Sequence, residues 1–259
     1  MKKGIQYIIG KKERGVPITA VTAYDYPTAL ILDEAEIDII LVGDSVGTNY
    51  LGYKSERDVT LWDMAHHTKA VSRAAKTAFV IADLPYGRAD GAADALWCAK
   101  ILAEAGADCV KIEGWDEKAN IIKALSGNGI SVCAHIGYNP QIHNKPQVFG
   151  KDDNQAAALI NSAEALCTAG AGLIVLEMVP KELAGKISKS ITAPTIGIGS
   201  GNLCDGQVLV INDLLGLSTK TFKHARAFAR LKETMYEAFK DYADAVKSRE
   251  FPGDENAWI

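Results

Sequence analysis

The chain has 259 residues, 48% of them hydrophobic, so it can bury a core as large as that of one α/β barrel. Its formal net charge of −4 leaves no excess of Lys and Arg to neutralise a phosphate backbone, which argues against a nucleic-acid partner. Five scattered cysteines and the lack of a long apolar run argue against a disulfide framework and a membrane span, so we expect a cytoplasmic protein.

Eight short, nearly continuous apolar runs are typical of strands buried on both faces of a parallel sheet. They cover residues 18–22, 37–42, 78–82, 109–112, 131–134, 173–176, 194–198 and 208–211. Ala-rich segments with helical spacing lie between most of them, at residues 62–75, 92–105, 118–125 and 155–169. This alternation predicts right-handed crossovers and closure into a (β/α)₈ TIM barrel of the α/β class. An open doubly wound sheet is the alternative.

The C-terminal residues 223–247 alternate Ala, Phe and Tyr with charged residues at a roughly helical period. This pattern predicts one or two amphipathic helices. We expect them to pack on the barrel, with subunit contacts as the alternative. Residues 1–259 are therefore predicted to form a single barrel domain with a C-terminal helical segment.

The predicted strands repeatedly end in ionisable side chains. In chain order these residues are Asp25, Asp44, Asp83, Glu113, His135 and Glu177, followed by Ser200 in the Gly-rich run 197–201. The carboxyl ends of parallel barrel strands meet at one mouth, so several negative charges are predicted to share a small space. Such crowding is unfavourable unless a cation neutralises it.

Asp44, Asp83 and Glu113 end three successive strands and are the predicted metal ligands. Oxygen ligands with open positions favour Mg²⁺, with Mn²⁺ or Co²⁺ as alternatives. Any one of these carboxylates could instead cap the helix that follows it. Three in succession favour the metal site.

Three further residues are predicted to act in catalysis. Lys111 lies two residues before Glu113, hence on the same strand face, and either stabilises a substrate carboxylate or enolate oxygen or forms a structural ion pair. Glu177, on another side of the mouth, suits a general base, with an outward-facing cap as the alternative. His135 either donates a hydrogen bond to the substrate or has a structural role.

Over almost its whole length the chain resembles the ketopantoate hydroxymethyltransferase family. The resemblance rests on the joint order of short motifs, none decisive alone: Thr22-Ala23-Tyr24-Asp25, Leu41-Val42-Gly43-Asp44-Ser45, Leu51-Gly52-Tyr53, Ala82-Asp83-Leu84-Pro85, Val110-Lys111-Ile112-Glu113-Gly114, His135-Ile136-Gly137 with Pro140-Gln141, Leu176-Glu177 and Gly197-Ile198-Gly199. It implies a barrel of the phosphoenolpyruvate/pyruvate-type superfamily. It also implies transfer of a hydroxymethyl group from 5,10-methylenetetrahydrofolate to 3-methyl-2-oxobutanoate, which forms 2-dehydropantoate in pantothenate synthesis.

The same resemblance implies roles for individual residues. It places Mg²⁺ near Asp44, Asp83 and Glu113, and it makes Glu177 the catalytic base. The positions that match the family's substrate site are Asp44, Ser45, Asp83 and Lys111. Family members commonly form decamers of two stacked pentamers, so a homo-oligomer is expected.

The chain departs from the family pattern in loops predicted to lie over the mouth. Glu56-Arg57-Asp58 replaces a Thr- and Pro-containing stretch, Tyr86-Gly87-Arg88 stands where Phe is usual, and residues 142–151 lack a Gly-Gly-aromatic run. The alternative enzyme is a Mg-dependent 2-oxo acid lyase or aldolase of the isocitrate lyase and phosphoenolpyruvate mutase group. A barrel without catalysis that serves as a binding or assembly protein is a further alternative, although it would have no need for so much like charge in one mouth.

Overall fold

The computed structural model describes residues 2–218 and 222–258. By its contacts the chain divides into two compact units, Met1–Val210 and Ile211–Ile259. Residues 1, 219–221 and 259, which the predicted single domain includes, lie outside the described residues. The one-domain prediction stays a prediction.

The first unit contains a closed barrel of eight parallel strands. They are β1 (Ile18–Thr22), β2 (Ile39–Val42), β3 (Phe79–Asp83), β4 (Cys109–Glu113), β5 (Val132–Gly137), β6 (Ala171–Glu177), β7 (Thr195–Ile198) and β8 (Gly206–Leu209). Because β8 pairs with β1, the sheet has no open edge and the predicted barrel is confirmed over the doubly wound sheet. Each predicted strand overlaps an observed one, and the eighth begins two residues earlier than expected.

Helices lie between most of the strands, as the sequence predicts, and α1 precedes β1. They are α1 (Ile5–Glu13), α2 (Tyr26–Glu34), α3 (Val46–Asn49), α4 (Leu61–Ala74), α5 (Ala92–Glu104), α6 (Ala119–Gly127), α7 (Asp153–Thr168) and α8 (Lys181–Ser190). The predicted helices match α4, α5, α6 and α7 to within about two residues at each end. In α4 the start is fixed by a capping box in which Thr60 and Asp63 each accept a hydrogen bond from the other's backbone N–H.

The barrel interior is a packed apolar core with side chains from all eight strands, including Ile39, Phe79, Cys133 and Val208. Ile8 of α1 joins this core beside the first residues of several strands, so α1 covers the amino-terminal end of the barrel. Lys111 lies above the apolar interior and lines a small cavity there with residues such as Ala20 and Ile81. Polar chemistry is therefore confined to the ends of the barrel.

An ionic cluster lies at the amino-terminal end, and we call it the amino-end cluster: Asp38, Lys3, Lys11, Tyr7 and Thr19. Asp38 and Lys11 are its buried members. The carboxylate of Asp38 accepts hydrogen bonds from Lys11 Nζ, from Thr19 N at 3.0 Å and from Tyr7 Oη at 3.3 Å. Lys3 Nζ lies 3.5 Å from it. Burial alone would raise the pKa of Asp38, but the hydrogen bonds from Lys11 and Thr19 outweigh burial and lower it.

The second unit contains α9 (Ile211–Leu215) and α10 (Leu231–Ser248). The predicted amphipathic segment therefore forms one helix, which begins at Leu231 rather than at residue 223. Every described residue of α10 is at least partly exposed, including Tyr236, Phe239 and Tyr242. The expected packing of this segment stays a prediction. In the part of the chain that the structure describes, no helix has the length and apolar character needed to cross a membrane.

Candidate active site

Polar residues gather at the carboxyl ends of β2 to β6. Asp83, Glu113 and Glu177 are the last residues of their strands, His135 lies two residues before the end of β5, and Asp44 lies two residues after β2. The parallel register pairs Asp83 with Lys111, and Glu113 with His135. The structure thus brings the predicted residues to one rim of the barrel, as expected for parallel strands.

Lys111 is the central cation of this rim. Its Nζ lies 3.0 Å from Asp83 Oδ2 and 3.3 Å from Glu113 Oε1. Burial would lower the pKa of Lys111, but the nearby carboxylates Asp83, Glu113 and Asp44 outweigh burial and raise it. Lys111 therefore stays charged and forms a structural ion pair, which is one of the two interpretations that the sequence supports. Its contact with substrate stays a prediction.

Asp44 and Asp83 form a buried acidic pair. The backbone N–H of Asp44 donates to Asp83 Oδ2 at 3.1 Å. Burial, followed by the charges of Asp83 and Glu113, raises the pKa of Asp44 well above its usual range, and burial also raises that of Asp83. Oδ1 of Asp83 is buried and has no hydrogen-bond partner among the described residues. Such a lone acceptor in an acidic pair is suited to a cation.

Glu113 differs from this pair because both of its oxygens are occupied. Oε1 accepts from Lys111 and lies 3.2 Å from His135 Nδ1, and Oε2 accepts from the backbone N–H of Gln141 at 3.0 Å. Burial would raise the pKa of Glu113, but Lys111 and His135 outweigh burial and lower it to about 2. Glu113 is therefore an ionised and fully engaged carboxylate.

The sequence predicts three carboxylates, Asp44, Asp83 and Glu113, as the metal ligands. Within residues 2–218 and 222–258, no three His, Cys, Asp or Glu side chains converge as metal ligands. The ammonium group of Lys111 lies among the predicted ligands and contacts both Asp83 and Glu113. The oxygens that fit a hard divalent cation are those of Asp44 and Asp83, and the third ligand, Glu113, stays a prediction.

His135 connects this acidic group to Glu177. Its Nε2 lies 3.2 Å from Glu177 Oε2, although the two atoms are not aligned for a hydrogen bond. Burial would lower the pKa of His135, but Glu113 outweighs burial and raises it to about 9, so the ring is an imidazolium at neutral pH. Glu177 does not cap α8, whose N-cap is Pro180 without a side-chain hydrogen bond. Its side chain is 15% exposed, so a substrate in the mouth can reach it.

The backbone around Glu177 is tightly determined. Gly137 has φ 94°, and a Cβ there would lie 2.2 Å from the carbonyl oxygen of Glu177, so only glycine allows this approach of β5 to β6. Met178 adopts the left-handed region with φ 51°. Tyr138 N–H donates to the Glu177 carbonyl at 2.9 Å, and Phe149 N–H donates to that of Met178 at 3.0 Å. These contacts fix the backbone that carries Glu177.

Comparison with known proteins identifies the family. A family profile for ketopantoate hydroxymethyltransferase matches residues 2–254. The chain belongs to the ketopantoate hydroxymethyltransferase family. The resemblance found from the sequence is confirmed, and membership of this family makes the chain an enzyme of the hydroxymethyltransferase class rather than a barrel without catalysis.

Similar proteins of this ketopantoate hydroxymethyltransferase family come from distant organisms. The 3-methyl-2-oxobutanoate hydroxymethyltransferase of Thermoanaerobacter sp. (strain X514) is 44% identical, with 95% of this chain and 92% of that protein covered. Proteins with the same name from Aeropyrum pernix and Deinococcus radiodurans are each 45% identical, with 93% and 95% of this chain and 89% of each protein covered. The similarity therefore extends over nearly the full length of this chain and of each relative.

Solved structures show the same barrel. Phosphonopyruvate hydrolase in complex with oxalate and Mg²⁺ matches with a TM-score of 0.66 at 13% identity, over 99% of this chain and 93% of that chain. The 2,3-dimethylmalate lyase of the phosphoenolpyruvate mutase/isocitrate lyase superfamily matches with a TM-score of 0.63 at 17% identity, over 98% and 90%. At this identity the likeness shows the fold alone, which is the same barrel, and the expected superfamily stays a prediction.

Two polar residues at strand ends serve the hydroxymethyltransferase fold rather than its mouth. Asp25 is the N-cap of α2 and accepts hydrogen bonds from Thr28 N at 2.8 Å and Thr28 Oγ1 at 3.0 Å. Ser200 is buried, donating to the Leu176 carbonyl at 2.7 Å and accepting from Val179 N at 3.1 Å. Asp25 is thus engaged with Thr28 at the start of α2, and Ser200 with the backbone.

Sequence reasoning did not assign a role to Gln141 or Arg57. Gln141 Nε2 donates to Asp44 Oδ2 at 2.7 Å, and Arg57 Nε donates to the Gln141 carbonyl at 2.8 Å. The available signal was weak, since Gln141 appears only as part of the Pro140-Gln141 motif and Arg57 only as a departure from the family pattern. The loops that carry them have no regular hydrophobic period.

Proposed function

We propose that this protein transfers a hydroxymethyl group from 5,10-methylenetetrahydrofolate to 3-methyl-2-oxobutanoate and forms 2-dehydropantoate, with Mg²⁺ as the metal. Family membership supports the reaction. The structural observation that supports it most is the buried pair Asp44 and Asp83, with a carboxylate oxygen lacking a hydrogen-bond partner among the described residues. That pair is linked through Lys111 and His135 to an accessible glutamate, Glu177.

Asp44 and Asp83 would hold the metal, with Glu113 as a third ligand or as a hydrogen-bonded neighbour. Their oxygen donors match the preference of Mg²⁺, and their raised pKa values indicate unbalanced negative charge. When bound, Mg²⁺ would supply Lewis-acid polarisation of the 2-oxo group, which acidifies the proton on C3.

Glu177 is the proposed general base. It removes the C3 proton of 3-methyl-2-oxobutanoate, and the electron pair of the C–H bond becomes the enolate double bond. Lys111 and His135 are both cationic at neutral pH, so they are placed to stabilise the negative charge of the enolate oxygen. This arrangement separates the proton acceptor from the charges that stabilise the product of proton removal.

The enolate carbon then forms a bond with the one-carbon unit of the folate after its ring opens to an iminium ion. One water molecule is consumed overall: its oxygen replaces the folate nitrogen on the transferred carbon and becomes the new hydroxyl group. The C–N bond breaks, a proton goes to that nitrogen, and tetrahydrofolate leaves. The barrel mouth contributes by holding the two reactants in line. Ser45, whose Oγ lies 2.8 Å from Tyr24 Oη, is proposed with Lys111 to bind the oxo-acid end of the substrate.

We also propose a cytoplasmic homo-oligomer, as the family resemblance implies. Multi-angle light scattering of the purified protein tests its assembly, and a decamer would give about ten times the mass of 27.7 kDa. A monomer at all working concentrations would overturn this part of the proposal without affecting the chemistry.

One experiment tests the reaction in two arms. Purified protein with Mg²⁺ and 3-methyl-2-oxobutanoate in D₂O is followed by NMR for exchange of the C3 proton, with and without 5,10-methylenetetrahydrofolate. We expect exchange in both arms, 2-dehydropantoate only with the folate, and neither after removal of metal by EDTA. Exchange without transfer would retain the enolisation and reject the folate as donor. Absence of exchange would reject the proposed chemistry.

A further inference from the structure

Gln141 lies in the loop after β5 and is buried, with 7% of its surface exposed. Its Nε2 donates to Asp44 Oδ2 at 2.7 Å and to the carbonyl oxygen of Leu84 at 3.0 Å. A carbonyl oxygen can only accept, so the amide nitrogen must be the group that faces Leu84. Its backbone N–H donates to Glu113 Oε2 at 3.0 Å. One residue thus contacts two of the four rim carboxylates.

Arg57 holds Gln141 from the outer side of the mouth. It lies in the short 3₁₀ helix Glu56–Asp58, between α3 and α4, and its Nε donates to the Gln141 carbonyl oxygen at 2.8 Å. Its guanidinium carbon lies 5.4 Å from the centre of the ring of Tyr86, which follows β3. Loops after three different strands therefore meet at this arginine, and the stacked ring limits its movement.

The amide of Gln141 has two N–H groups, and they are directed at two acceptors that follow different strands, Asp44 after β2 and Leu84 after β3. This fixes the plane of the amide and the orientation of the Asp44 carboxylate. Arg57 in turn fixes the peptide group of Gln141. Groups that orient metal ligands in this way commonly determine the affinity of a site.

We infer that Gln141 is a positioning residue for Asp44, and that Arg57, acting through Gln141, strengthens the binding of a divalent cation at the mouth. Arg57 touches no reacting group in this arrangement. The inference rests on the metal site of the proposed function. It assigns a role to a loop residue that lies 84 positions from its partner in the sequence.

The sign of the effect separates this inference from simple electrostatics. Arg57 carries a positive charge, so by charge alone its removal would strengthen the binding of a cation. If Arg57 positions Gln141, its removal weakens binding instead. The two explanations therefore predict opposite changes in the dissociation constant.

The test is the dissociation constant of Mn²⁺ without substrate, measured from the electron paramagnetic resonance signal of the free ion. We expect Gln141→Leu to weaken binding about 10-fold or more, in the range found for partners of metal ligands. For Arg57→Met we expect a smaller loss of about 3-fold, because Arg57 acts on Asp44 only through Gln141. Arg57→Lys keeps the charge and a donor, and should recover most of the affinity. Unchanged or tighter binding in Arg57→Met would overturn the inference.

Arg88→Met is the matched control. Arg88 is exposed on the loop that carries Tyr86 and pairs with Asp94 at 3.5 Å, so its replacement removes the same charge from the same region without touching Gln141. Its Mn²⁺ affinity should equal that of the unmodified protein. A loss as large as that of Arg57→Met would show that affinity falls without any change at Gln141, and it would overturn the inference.

A double-mutant cycle tests whether Arg57 acts through Gln141. In the Gln141→Leu background, Arg57→Met should have little further effect, whereas equal effects in both backgrounds would overturn the proposed route. Thermal melting of each variant verifies that it is folded. If the unmodified protein binds no Mn²⁺, the proposed metal site itself fails. If it binds Mn²⁺ and both variants bind equally well, only the inference fails.

Discussion

Both ends of the barrel bury carboxylates beside lysines, but the pKa of Asp38 at the amino end shifts in the opposite direction to those of Asp44 and Asp83 at the mouth. At the amino end, the single carboxylate of Asp38 receives hydrogen bonds from Lys11, Thr19 and Tyr7, and burial is outweighed so that its pKa is lowered. At the mouth, three carboxylates surround Lys111, and burial raises the pKa of Asp44 and Asp83.

This difference shows which acidic residues stabilise the fold and which do not. The amino-end cluster balances donors and acceptors, so its ion pair is compatible with a stable core. The mouth has an excess of acceptors and negative charge, which disfavours folding and favours a positively charged ligand. We expect substitutions at the two ends to separate stability from activity.

The largest effect is expected for Glu177→Gln. Removal of a general base typically lowers the rate by about 10²–10⁴-fold, so C3 proton exchange should fall by that factor. Stability and Mn²⁺ affinity should change little because Glu177 is not one of the proposed ligands. NMR exchange in D₂O measures the rate, and Glu182→Gln, an exposed glutamate in α8, is the control. Normal exchange in Glu177→Gln would exclude it as the base.

Asp38→Asn should strongly destabilise the fold. It leaves the buried ammonium group of Lys11 without its carboxylate, a change that typically costs about 3–5 kcal/mol. Urea denaturation measures the change in free energy of unfolding, and Glu34→Gln, an exposed residue of α2, is the control. A change no larger than that of the control would show that the amino-end cluster does not support the fold.

The stability from Asp38 also has a definite pH dependence. Its folded-state pKa lies below the ordinary value of 3.8, so its contribution is present above pH 3.8 and is lost as the pH falls through the folded-state pKa. The difference between the unmodified protein and Asp38→Asn should therefore shrink in acid.

Asp44→Asn should act in the opposite direction. Without metal it removes one charge from a crowded buried group, while the Asn oxygen can still accept from Gln141, so we expect a gain of about 1 kcal/mol in unfolding free energy. Because the folded-state pKa of Asp44 is raised, this gain should be absent in acid and appear as the pH rises above 3.8. Urea denaturation in EDTA measures it, with exposed Asp58→Asn as the control. A loss of stability would contradict the proposed excess of charge.

Ser45→Ala should have the smallest effect. It removes one hydrogen bond to Tyr24 and one proposed contact to substrate, worth about 1 kcal/mol, so KM for the oxo acid should rise about 5-fold with little change in kcat. Steady-state kinetics measures both constants. A fall in kcat at constant KM would place Ser45 in the chemical step instead.

The fold could be predicted because strands buried on both faces have continuous apolar runs, and this pattern located all eight strands. The boundary of β8 was less accurate, because its outward-facing residue, Gln207, interrupts the apolar run. The start of α10 was wrong because residues 223–230 share its composition without being helical.

The rim could be predicted because parallel strands bring their carboxyl ends together, so order along the chain becomes position in space. What each residue contacts there could not be predicted. Lys111 lies between two of the expected ligands, and Gln141 reaches an aspartate 97 positions away. Asp25, read as part of the mouth, caps a helix, because a capping Asp and a ligand Asp look alike in sequence.

The left-handed backbone at Met178 has a consequence for engineering. A non-glycine residue with φ 51° holds conformational strain, typically about 1–3 kcal/mol for such positions, and here that strain lies next to the proposed base. Replacement by glycine would relax it and would be an attractive choice for raising thermal tolerance. The same relaxation would allow the carboxylate of Glu177 to turn away. A variant with higher thermal stability obtained in this way would therefore have a lower catalytic rate.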